Sequence, residues 1–151
     1  MSTLQELALD LTKDVPRSPR ATLGGYVVAA RTLDKCRADL NGSIGEYHFD
    51  CPLDNLFFDF TGITADAFRE LVKTGASDED VADWVQKHSK VKDRQAIIQW
   101  NNDLRYKSIN QMPIELQEFL EGYIPECLPA GAVVHAWFDV YDIEEGRQRP
   151  N

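Results

Sequence analysis

Along most of the chain, apolar residues recur at spacings of three and four, the period of amphipathic helices. Leu4, Leu7, Ala8 and Leu11 form the first such stripe, and Thr3-x-x-Glu6 is a capping box ahead of it. So short a helix is marginal alone and must dock on something. Pro16-Arg17-Ser18-Pro19-Arg20 then breaks the pattern, because each proline lacks an N–H and pushes its predecessor away from α. Gly24-Gly25 precede a long second helix with Tyr26, Ala29, Ala30, Leu33, Cys36 and Leu40 on its apolar stripe, and Asn41-Gly42 closes it. Pro52 to Phe60 reads as a short third helix facing inward through Leu53, Leu56, Phe57 and Phe60, stopped by Thr61-Gly62. Phe58 falls off that stripe; like Phe57, Phe60, Trp84, Trp100 and Trp137 it is most simply core, the alternative being an exposed aromatic contact surface shared with Tyr26.

Thr64 and Ser77 have the character of N-caps, each followed by acidic residues that suit a positive helix end. Phe68, Leu71 and Val72 face inward on one of these helices and Val81, Trp84 and Val85 on the other, with Gly75 as the stop between them. A further helix from about Asp93 carries Ile97, Ile98, Trp100 and Leu104; Pro113 opens another, buried through Leu116, Phe119, Leu120, Tyr123 and Ile124. The segment 133–141 is ambiguous. Its β-branched and aromatic residues suit a strand, but Val134, Trp137, Phe138 and Tyr141 fall at helical spacing and no second strand offers a partner. Helix is therefore expected there. The fold class is all-α, a single domain of about seven or eight short helices, with 1–21 as N-terminal helix plus Pro/Arg linker and 22–151 as helical core.

At 151 residues the chain is long enough to bury a core without metals or disulfides. Its 43% hydrophobic and 27% charged residues are those of a globular protein. No apolar run approaches a membrane span, and the first residues lack the basic-then-apolar order of a signal peptide, so a cytoplasmic location is expected. Three cysteines (Cys36, Cys51, Cys127), odd in number and without CxxC spacing, fit reduced thiols.

A net charge of −9 argues against nucleic acid or an anionic membrane as partner. The charge is unevenly spread. Six basic residues lie between Lys13 and Arg37 against Asp14 and Asp34, whereas 108–146 holds eight carboxylates and no Lys or Arg. Such polarity would draw the two ends together within one fold or between subunits of a homo-oligomer; the plainer reading is two differently solvated faces.

A set of local motifs resembles a known family: Leu11-Thr12-Lys13, Pro16-Arg17-Ser18-Pro19-Arg20, Leu23-Gly24-Gly25-Tyr26, Ala30-Arg31, Leu33-Asp34-Lys35, Gly45-Glu46-Tyr47, Cys51-Pro52-Leu53-Asp54, and the terminal Phe138-Asp139 with Glu144-Glu145-Gly146-Arg147. Together they look like the uncharacterised bacterial family called domain of unknown function 5069, densely over the first third of the chain and patchily beyond. The resemblance implies a compact cytosolic bacterial domain. It brings no activity, cofactor or catalytic residue with it.

The connector 45–54 concentrates the chemically versatile side chains. If Pro52 is the first helical residue, Cys51 is the N-cap, facing free N–H groups and the positive end of the dipole, which favour a thiolate. His48 would serve as base or ion-pair partner, oriented by Glu46 or Asp54. This arrangement suits a thiol-dependent enzyme or a redox sensor, against the plainer reading of a small buried thiol beside a helix start. His48, Cys51, Asp54 and Glu46 also supply donors a metal uses, but without paired-ligand spacing no metal is expected.

A second site candidate is an anion pocket. Arg17 and Arg20 approach Gly24 and Gly25 at a helix start, Arg31 and Lys35 lie one turn apart beyond them, and Tyr47 sits in the nearby connector. Against this, Arg17 and Arg20 would simply tether the linker to acidic helices, with Arg31 paired to Asp34. Neither a P-loop, a GxGxxG fingerprint nor a GxSxG elbow is present, so no cofactor is expected. The favoured function is a module that binds a small anionic ligand or a protein partner; the alternative is thiol chemistry at Cys51 with His48.

Overall fold

The computed structural model describes residues 3–147, and these form eight α-helices and one short 3-10 turn without a strand. The protein is all-α. It folds as two compact units, residues 1–98 and 99–151.

The first unit is organised around α2 (Ala29–Asn41), which packs against α1 (Leu4–Leu7), α3 (Pro52–Thr61) and α4 (Ala65–Lys73). α5 (Asp78–His88) and the start of α6 (Arg94–Arg105) complete it. Several boundaries follow directly from the residues at them. Thr3 and Thr64 accept from the N–H groups of Glu6 and Ala67, and Ser77 and Asp80 cap α5 reciprocally. Gly42 and Gly62 close α2 and α3 in the left-handed conformation.

Other boundaries differ from the periodic pattern. α1 ends at Leu7, before the Ala8 and Leu11 of the expected stripe, although Leu11 is buried. The second helix starts at Ala29, not at Tyr26. Leu23 and Tyr26 exchange two backbone hydrogen bonds across Gly24 (φ +61°) and Gly25 (φ +89°), a reverse turn whose positive φ pair glycine alone adopts readily. A Cβ on Gly24 would lie 3.1 Å from the Ala82 carbonyl oxygen, so the turn is also pressed against α5. Val28 joins this turn to α2 with φ +73° while fully buried, an uncommon conformation for a β-branched residue.

Tyr26 and Phe58 are core residues, not surface aromatics. Tyr26 is 1% exposed, meets Phe57 and Phe60 edge-on, and places its hydroxyl 2.8 Å from Ser89 Oγ. Phe58 is 4% exposed and lies among Phe49, Phe57 and Phe68, because the connector brings Phe49 over the side of α3 that periodicity assigns to solvent.

In the second unit, α7 (Ile114–Cys127) and α8 (Trp137–Glu144) bury Leu120, Leu128 and Val140, flanked by Ile109, Leu116, Ile124 and Ile143. Phe119, expected inside, is 58% exposed and rests on Tyr123. The ambiguous segment divides. Residues from Trp137 onward are helical, while the preceding residues are non-helical: Ser108 and Ala136 form an isolated bridge, flanked by bonds from the Ile109 and Trp137 N–H groups to the His135 and Lys107 carbonyls.

Candidate functional site

The connector between α2 and α3 is held at both ends. Leu11 N–H donates to the Ser43 carbonyl and Ser43 Oγ donates to the Leu9 carbonyl, tying the N-terminal segment to its start. At Gly45 (φ +62°) a Cβ would stand 2.9 Å from the Leu11 carbonyl oxygen, so the close approach requires glycine. Phe49 stacks with Phe68 in the core. Asp50 takes φ +63°, and Cys51 becomes the N-cap of α3 with Pro52 in its first turn.

Asp54 is the hub of the site. Its side chain is 0% exposed, and its two oxygens divide their acceptor capacity. Oδ1 takes the Thr32 hydroxyl at 2.7 Å and the Lys35 ammonium at 2.9 Å; Oδ2 takes the Asp50 N–H at 3.0 Å and, more weakly, the Cys51 N–H at 3.4 Å. Lys35 Nζ also donates to Cys51 Sγ at 3.1 Å, with only 4% of its side chain exposed. Thr32 and Lys35, three residues apart on α2, therefore reach over to the first turn of α3 as one face of one helix. The cluster contains a carboxylate, an ammonium, a hydroxyl and a thiol, and of these only Cys51 is partly exposed.

Glu46 and His48 are both exposed. Tyr47 is half-buried, with the Arg31 guanidinium 5.6 Å from its ring centroid. Arg31 also donates to the Arg17 carbonyl. Among the described residues no group of three or more His, Cys, Asp or Glu side chains is gathered closely enough to hold a metal ion.

A second polar network lies on the neighbouring face of α2. Arg17 straddles Asp34 and Asp78, at 3.0 and 2.9 Å, and Arg37 joins it on Asp78 while also donating to the Ala76 carbonyl. Asp34 thus pairs with Arg17, where the sequence suggested Arg31. Burial works against the charge of Arg17, but Asp34 and Asp78 outweigh it and hold the guanidinium above its ordinary value. Burial likewise pushes the Asp78 carboxyl up, yet Arg17 and Arg37 hold it below the ordinary 3.8. Gly24 and Gly25 lie in the turn before Val28, so their amides are not the first turn of α2. Arg20 is half-buried, its N–H on Ser18 Oγ.

The three thiols have different surroundings. Cys36 is buried on α2, and desolvation pushes it up to about 12; Cys127 is exposed at the end of α7; Cys51 is intermediate. The pairing of Lys35 with Cys51, and the hub role of Asp54, were not read from sequence. A signal exists: Lys35 stands between the buried stripe residues Leu33 and Cys36, where a cation has to find an internal counter-charge.

Fold and site together define an all-helical protein whose first unit is built around α2, with Asp34, Lys35, Arg37 and Asp39 of that helix paired within the chain. The chain matches the model of the Domain of unknown function family (DUF5069) over residues 13–147, and it belongs to that family. No curated protein matches it.

Proposed function

We propose that the connector is a reactive-thiol site, of the kind used by thiol-dependent enzymes and redox sensors, with Cys51 Sγ as the reacting atom. The observation that carries this reading is the Lys35 ammonium 3.1 Å from that sulfur. The thiolate is the nucleophilic form of cysteine, and cationic neighbours and helix N-termini both favour it. Cys51 has both, as the N-cap of α3 and the acceptor of Lys35. Asp54 takes the other share of the ammonium and, anchored by Thr32 and two backbone N–H groups, fixes where Lys35 points. In this reading Lys35 replaces His48 as the partner of the thiol.

The anion-binding reading has less behind it. The Arg17 guanidinium and the Lys35 ammonium are directed at carboxylates of the same chain, and a ligand would have to displace those bonds. Iodoacetamide labelling of the folded protein, resolved by cysteine, tests the proposal. Cys51 should label at neutral pH faster than exposed Cys127, and Lys35→Met should slow it several-fold. Labelling of Cys51 only on unfolding would refute it.

A further inference from the structure

The group beside the sulfur is a primary amine, and this has a consequence beyond thiol reactivity, although it rests on that reading. We propose that Cys51 and Lys35 form an oxidative cross-linking pair, a modification site in which peroxide converts the thiol to a sulfenic acid and the Lys35 nitrogen then closes onto the sulfur as a sulfenamide. In the first step the sulfur attacks hydrogen peroxide; an S–O bond forms, the O–O bond breaks, and the departing hydroxide leaves as water with the thiol proton. In the second the Lys35 lone pair attacks sulfur; an S–N bond forms, the S–O bond breaks, and a second water leaves. The sum is one thiol, one amine and one peroxide giving one sulfenamide and two waters. Two equivalents of an added thiol reverse it, returning Cys51 and Lys35 and forming one disulfide.

Four features of the site support this course. Sulfenic acids condense with a thiol or a nitrogen when one is at hand, and the nitrogen here is 3.1 Å away. The backbone N–H of Cys51 points to Asp54 Oδ2, which leaves the lysine as the nucleophile facing the sulfur. Asp54 Oδ1, 2.9 Å from Nζ and itself held by Thr32, receives the proton the ammonium must lose before it attacks. Cys51 is partly exposed while Lys35 is 4% exposed, so a small peroxide reaches the sulfur and competing solutes do not reach the amine. The link would join α2 to the N-cap of α3 across sixteen residues.

Peptide mapping of peroxide-treated protein tests it. The protein is oxidised while folded, then unfolded, alkylated with iodoacetamide and digested with trypsin. The expected product is peptide 32–37, uncleaved after Lys35 and alkylated at Cys36, joined through Cys51 to peptide 38–69. It should be two hydrogens lighter than the separate peptides and vanish after dithiothreitol. Lys35→Arg keeps the charge but not the nucleophilic amine, so the link should be lost and the Cys51 sulfenic acid should become trappable by dimedone. Equal dimedone labelling of wild type and K35R, with trypsin cutting after Lys35, overturns the cross-link and leaves a reactive Cys51 standing. A Cys36–Cys51 disulfide also removes two hydrogens but leaves Cys36 unalkylated and Lys35 cleavable, so its linked peptides differ in mass; finding it also overturns the cross-link. A Cys51 that neither alkylates nor oxidises in the folded protein removes both proposals. The wild-type peptide result stands even if the variant fails to fold.

Discussion

Asp54 is the residue on which the site turns. It is fully buried and accepts from an ammonium, a hydroxyl and two backbone N–H groups. Such a pair adds little net stability compared with a well-packed apolar substitute, but removing one partner leaves the other charge buried and uncompensated. Asp54→Ala should therefore cost about 3–5 kcal/mol in urea unfolding; a loss below about 1 kcal/mol, the scale of an exposed pair, would contradict the hub role. From sequence, Asp54 reads as an orienter of His48 or one of several metal donors, three places after Cys51. Its true partners, Thr32 and Lys35, come from a helix twenty residues earlier, and local spacing carries no information about that pairing. Cys51 as N-cap before Pro52 was legible because both the cap and the proline are local signals.

At the scale of elements, helix ends were legible and helix faces less so. Gly42, Gly62, Thr64 and Ser77 act where their side chains or their lack of one predict. The helical stripe of α3 alone leaves Phe58 outside, because an aromatic from an irregular connector covers that side; the residue type by itself pointed to the core. Phe58→Ala should thus cost about 3–5 kcal/mol, as for a core phenylalanine, where an exposed one would change stability by no more than about 0.5 kcal/mol; urea unfolding separates the two. The connector itself makes a second contrast. Gly42 and Gly45 share a positive φ, but a Cβ at Gly42 meets nothing within 4 Å while one at Gly45 meets the Leu11 carbonyl at 2.9 Å. Gly42→Ala should cost about 1–2 kcal/mol for the left-handed backbone alone. Gly45→Ala should cost more, since the N-terminal segment must also move; equal losses would show that segment to be loosely held.

For the whole molecule, the net charge of −9 conceals internal pairing. Arg31, Lys35, Arg37, Asp34 and Asp54 are all buried, so much of the basic character between Lys13 and Arg37 is used within the first unit. Composition showed the charge asymmetry but could not tell solvated charges from buried ones. Asp78 gives this a pH signature. Its folded carboxyl titrates below the ordinary 3.8, so the folded state holds its proton less tightly than the unfolded chain does. Its contribution is then present above 3.8 and is lost as pH falls through the lower folded value. The urea midpoint of Asp78→Asn should trail wild type at neutral pH and converge with it well below 3.8; a gap that persists in acid would assign the effect to packing.

The central claim is that Cys51 is the reactive thiol of this protein, and site-resolved iodoacetamide labelling of the folded chain at neutral pH measures it directly. The expected order is Cys51 first, exposed Cys127 next, and Cys36, raised to about 12 by burial, only on unfolding. Labelling of Cys127 alone, with Cys51 protected until the protein unfolds, would contradict it.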